Sequence, residues 1–143
     1  MRSLKDLLKI ADRNGISVMT VRLEEQEPVS TYCDALRLIS ISDQLLEYQA
    51  TAALAHELIH AAHEHRGHQT PAIERIVDEL AARMILTVDE YAKAETMYGC
   101  DPRAIAHELG QPVWIIEAFQ RHLAKTEYRT AENTSPQWIV NAC

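Results

Sequence analysis

Residues 56–60 read His-Glu-Leu-Ile-His, two imidazoles four positions apart with a carboxylate next to the first. On an α-helix four positions advance about 6 Å and return to the same face, so both rings can reach one metal ion. Glu57 then stands beside that ion, where a carboxylate can accept and return a proton. By composition, such a match is expected by chance about 0.03 times in a chain of this length. A catalytic zinc site holds three protein ligands and keeps a position for water, so a third ligand is required.

One arrangement turns the chain at a glycine three residues after the second histidine and adds another histidine three later. Here those positions hold His63 and Arg66, which excludes it. His63 shares the ligand face but lies about 10 Å of helix rise from His56, too far to share one ion comfortably. His63, His65 and His68 therefore read as solvated residues at a helix end. A carboxylate from the following segment is the alternative. Glu74 and Asp78 stand at i and i+4, so one can ligate while the other accepts the Nδ1 hydrogen of a ligating histidine. Spacing alone leaves Glu74, Asp78, Glu79 and no third ligand all open. Tyr32, Tyr48, Tyr91, Tyr98, His107 and His122 are each able to donate to a developing alkoxide, and spacing singles out none of them.

These residues need elements to position them. Leu4, Leu7, Leu8 and Ala11 share one face of a helix over 2–14, stopped by Asn14-Gly15. Residues 16–23 and 36–41 are β-branched and apolar, which predicts two or three strands in a small sheet. The second of these is either an open edge on which an extended peptide adds or a fully paired strand. From Asp43 through His65 the chain is rich in helix formers without Gly or Pro, so a central helix carries the 56–60 motif and Gly67 ends it. Thr70-Pro71 opens a helix to about residue 86, and a Thr87–Glu90 capping box opens one to residue 97. Two more follow over 101–110 and 112–125.

The resulting expectation is α+β: a small mixed or antiparallel sheet packed on a helical core, with a C-terminal helical segment. It forms a single domain over 1–125, with a core over 15–90, an extension over 91–125 and a loosely ordered tail over 126–143. At 143 residues with 47% apolar and 24% charged, the chain is sized for one core. A net charge of −7 gives no footprint for phosphate backbones, so direct nucleic-acid binding is not expected. No window approaches 18 apolar residues and the charged N-terminal helix is unlike a signal peptide, so no membrane partner is expected. Cys33, Cys100 and Cys143 form no CxxC pair, and a reducing, cytoplasmic setting is the simplest reading.

The sequences AHELIHAAHEH (55–65) and ERIVDELAARMIL (74–86), in that order, resemble the ImmA/IrrE family of small zinc metallopeptidases. The resemblance covers roughly residues 15–90. It implies Zn2+ held by His56, His60 and Glu74, with Mn2+ also accepted by such a set, Asp78 behind the ligands, and Glu57 as the catalytic base. It further implies cleavage of a protein substrate, a helix-turn-helix transcriptional repressor of a phage, mobile element or stress regulon. The chain departs from the family pattern at Ile76, Val77, Leu80 and Leu86-Thr87, which are packing or boundary positions, and at Ile59, which slightly fills the space beside the metal. The alternative function is a non-catalytic or metal-dependent protein-binding module that sequesters a repressor or pairs with a toxin. A third is hydrolysis of a non-peptide bond at the same metal.

Two segments invite a different reading. Residues 105–109 repeat the letters HEL, but Gln111 stands where the second histidine would be. Residues 101–125 have the outline of a helix-turn-helix, yet the second helix reads VWIIEAFQRHL, which suits packing or partner docking better than a DNA groove.

Overall fold

Most of the helices begin where a side chain satisfies their first free N–H groups. Ser3 and Asp6 bond reciprocally, as do Thr87 and Glu90, while Thr70 accepts from Ile73 N and Asp101 from Arg103 N. Each such cap is worth about 1 kcal/mol. The computed structural model describes residues 1–25 and 27–134. Among these the order is α1 (Leu4–Arg13), β1 (Ser17–Val21), β2 (Ser30–Cys33), β3 (Leu38–Ser42), α2 (Glu47–Ala62), α3 (Pro71–Ile85), α4 (Val88–Tyr98), α5 (Pro102–Leu109) and α6 (Val113–Thr134).

The fold is α+β, six helices with one mixed sheet of strand order β1-β3-β2. Strand β1 runs parallel to β3 and β2 antiparallel to it. The segment expected over 36–41 is thus the central strand, paired on both sides. Its neighbours β1 and β2 are the two edge strands, each with one side unpaired in the sheet. Four residues are too few to show a period in sequence, so β2 is the third strand that the sequence allows without locating. Ser42 N donates to Val29 O at 2.8 Å, which with the register turns Val29 and Thr31 toward β3. The alternation directs the N–H and C=O groups of Ser30 and Tyr32 to the open edge.

Helix α2 packs against α1, α3, β2 and β3, and ten of its residues from Thr51 to Ala61 are buried. It is shorter than expected at both ends. At the start Ser42 still belongs to β3 and its Oγ accepts Gln44 N, which holds residues 43–45 in a turn. At the end His65 N bonds His60 O at 3.0 Å and Glu64 N bonds Ala61 O at 3.1 Å. These are the two bonds of a Schellman motif, and they require Glu64 to adopt a positive φ of 53°. The chain therefore turns three residues before Gly67 and folds His65 back over the helix.

Helix α6 runs through Thr134, beyond the expected end near Lys125, and residues 135–143 of the expected tail lie outside the described residues. Its Ile115, Ile116, Ala118 and Phe119 are buried in the same core as α2 and α3. No helix among the described residues is long and apolar enough to cross a membrane.

A left-handed backbone costs a residue with a Cβ about 1–2 kcal/mol, and glycine returns part of that gain as unfolded-state entropy. Glu64→Gly is therefore expected to stabilise the fold by about 0.5–1 kcal/mol, read as a higher urea midpoint with an unchanged slope.

Candidate metal centre

His56, Glu57 and His60 sit on the last two turns of α2, and α3 lies alongside with Glu74 in its first turn. The two imidazole Nε2 atoms are 3.0 Å apart, and Glu74 Oε2 is 3.3 Å from each. Tetrahedral zinc with ligand distances of about 2.0–2.1 Å requires ligand–ligand edges of about 3.3 Å. The three donor atoms thus already span one face of such a tetrahedron, and the residues fit a divalent ion. Among the described residues they are the one group of three with this convergence.

Each imidazole is held from behind. His56 Nδ1 donates to Asp78 Oδ1 at 2.9 Å, which leaves its Nε2 as the coordinating atom. His60 Nδ1 is 2.9 Å from His65 Nδ1. For His60 to present an Nε2 lone pair, its Nδ1 carries the hydrogen and His65 Nδ1 accepts it. His65, read from sequence as a solvated residue, is therefore a support for the second ligand, delivered by the turn at Glu64. Glu79 is not at the site: it is buried on the face toward α6, where Lys125 Nζ meets both carboxylate oxygens at 2.8 Å.

Glu57 is only 6% exposed, and Ser30 Oγ on β2 donates to its Oε1 at 2.7 Å. Burial raises its pKa above the ordinary value, against the Ser30 bond and the His56 charge, which favour the ionised form. Burial pulls His56 down, yet the Asp78 hydrogen bond and the charges of Glu57, Asp78 and Glu74 outweigh it and leave its pKa raised. His60 is lowered by burial and by the His56 charge.

A cleft opens on both sides of His56 and Glu57. One side, about 490 Å³, is bounded by Pro28, Val29, Leu45, Ala53, Pro112 and Trp114. The other, about 380 Å³, is bounded by Thr31, Tyr32, His65, His68, Gln69 and Glu74. Of the six candidate alkoxide donors only Tyr32 borders this second side, and its hydroxyl is donated to Asp34 at 2.9 Å. Tyr91 and Tyr98 bond glutamates elsewhere. Arg66 Nε bonds the same Asp34 at 3.2 Å, tying the loop after α2 to the turn after β2.

Sequence reasoning brought together His56, Glu57, His60, Glu74 and Asp78 as the structure places them. It missed Ser30, His65 and Trp114, whose ring centroid is 6.2 Å from that of His56 at near-perpendicular inclination. No spacing rule links residues so far apart. His65 alone had a signal, a position five after His60 that a Schellman turn returns to the helix. Neither the family models nor the curated proteins compared with this chain match it.

Loss of an outer partner typically costs metal affinity 10–100-fold, roughly. His65→Ala is expected to weaken zinc binding by about that factor with the circular-dichroism spectrum unchanged, and Glu74→Ala to weaken it further; competition with a chromophoric chelator measures both. A proton on His56 must leave before its Nε2 coordinates, and its pKa is raised above the ordinary histidine value, the Asp78 bond and the surrounding carboxylates outweighing burial. Apparent zinc affinity is therefore expected to fall as pH drops, and to begin falling at a higher pH than for an unperturbed histidine, in titrations across neutral pH.

Proposed function

We propose that this chain is a zinc-dependent endopeptidase that cleaves a specific protein substrate in the cytoplasm. The observation that carries the reading is the convergence of His56, His60 and Glu74 within 3.0–3.3 Å of one another, with Glu57 beside them in an open cleft. A His2Glu donor set suits zinc, and manganese can also occupy it. Zinc bound there supplies a Lewis acid that lowers the pKa of water toward about 7 and polarises a carbonyl.

The chain's own residues do the rest. Glu57 accepts a proton from the attacking water as its oxygen bonds to the carbonyl carbon, then delivers that proton to the leaving amine as the C–N bond breaks. Its raised pKa suits both halves of this cycle, since a base too acidic returns the proton poorly. Ser30 keeps the carboxylate aimed through the 2.7 Å bond. An extended peptide can add to the open edge of β2 and pair with the free main-chain groups of Ser30 and Tyr32, which would hold its backbone across Glu57. The family resemblance suggests a helix-turn-helix repressor as the protein cleaved.

The test is to incubate the zinc-loaded chain with a native bacterial protein extract and with purified helix-turn-helix repressors, and to count new N-termini by mass spectrometry. Glu57→Gln is expected to keep zinc and fold and to lower cleavage by about 10²–10⁴-fold. Cleavage that survives Glu57→Gln removes Glu57 as the base. If no substrate is cut, and the wild type and Glu57→Gln bind a partner equally well, the binding-module reading replaces this one.

A further inference from the structure

The two sides of the cleft differ in chemistry, and the difference points to a substrate preference. Beside the N-terminal half of the motif helix the walls are Val29, Leu45, Ala53, Pro112 and the half-buried Trp114. The polar groups there each have one atom engaged within the chain. Asp78 accepts from His56, Ser30 donates to Glu57, and Gln49 Oε1 accepts Leu46 N at 3.0 Å. An anionic side chain entering this side would lose water and meet only the carboxylates of Glu57 and Asp78, while the rest of the wall is apolar. On the other side Thr31, Tyr32, His65, His68 and Gln69 present polar groups.

The strand edge orders these two sides along a peptide. Antiparallel pairing is the more stable per residue, and a peptide antiparallel to β2 runs from Tyr32 toward Ser30. The residue before the bond facing Glu57 then lies on the polar side, and the residue after it on the apolar side. The rings of Trp114 and His56 are near-perpendicular with centroids 6.2 Å apart, so the pocket begins directly beside the ligands. Its position is fixed by the buried Ile115 and Ile116 that follow it on α6.

We propose that this apolar half is a specificity pocket for an aliphatic or aromatic side chain on the residue that follows the scissile bond, with Trp114 as the residue that determines it. The inference deepens the endopeptidase reading and rests on it. Even one methylene in an apolar pocket changes selection by about 10–200-fold, so a whole side chain is readily measured.

The experiment uses the full zinc-loaded chain and two series of hydroxamates, whose chelating head anchors to the metal whether or not hydrolysis occurs. In the succinyl series the side chain lies where the residue after the bond would be. In the amino-acid series it lies where the preceding residue would be. Calorimetry is expected to find the isobutyl and benzyl succinyl compounds bound about 10-fold or more tighter than the unsubstituted one, with the aminobutyl compound no better than unsubstituted. Trp114→Ala is expected to compress that preference and Trp114→Phe to keep most of it. Equal binding across the wild-type succinyl ladder overturns the pocket, even if no Trp114 variant folds. So does tightest binding of the aminobutyl compound, a preference confined to the amino-acid series, or one untouched by Trp114→Ala. If the preference is present while no peptide or protein is ever cut, the pocket stands and the endopeptidase reading fails. A chain that takes up no zinc overturns both.

Discussion

Two imidazole nitrogens and a carboxylate oxygen held 3.0–3.3 Å apart are an arrangement that side chains do not adopt unaided. Each group prefers water and each long side chain prefers many rotamers. Their convergence needs two helices at a fixed offset and a second partner for every ring. The offset comes from α2 and α3, which bury Ala52, Ala55, Ala81 and Ala82 in a common core and so can approach closely. The second partners are Asp78 for His56 and His65 for His60. Remove either layer and the donors are still present but no longer aimed.

The order of helices and the pairing of His56 with His60 could be read because both rest on short-range periodicity, whereas spacing left the third donor open and only the family resemblance pointed to Glu74. Leu7 and Ala11 face the core as the N-terminal pattern requires, and four positions along α2 bring His56 and His60 to one side. Positive φ broke the pattern. Nothing in the letters His-Glu-His announces that Glu64 will adopt a left-handed backbone, so the end of α2 was placed at the glycine three residues later. That error concealed His65, because a longer helix would have carried it away from His60. The sheet was obscured for a related reason: pairing is a long-range property, and whether 36–41 lies at an edge depends on β2, a segment of only four residues.

The two glutamates near the ligands illustrate how environment divides one chemical group between two tasks. Glu74, about a third exposed in its side chain, has one oxygen equidistant from both Nε2 atoms, which is the position of a ligand. Glu57 is nearly sealed, makes its bond to Ser30 across from the sheet, and is pushed by burial toward holding a proton. A carboxylate that must take a proton and release it needs the second setting, and one that must stay bound to a cation needs the first. Neither setting is encoded in residue type, since both are glutamates on adjacent helices.

The cleft wall extends this logic past the two helices. Residues 91–125 read in sequence as an extension to a core ending near residue 90, yet Pro112 and Trp114 border the same cleft as Ser30 and Asp78. What brings them there is the packing of α6 on α3, with Ile115, Ile116 and Phe119 in the core and the buried Glu79 paired to Lys125 across the interface. A carboxylate buried at a helix interface costs stability unless its charge is met, and here α6 meets it twice, with Lys125 at 2.8 Å and Arg121 at 3.6 Å. An α6 displaced along its axis would carry Trp114 away from His56. The acid that sequence spacing allowed as a ligand thus acts one helix face away, in the packing of α6 on α3 that brings Pro112 and Trp114 to the cleft.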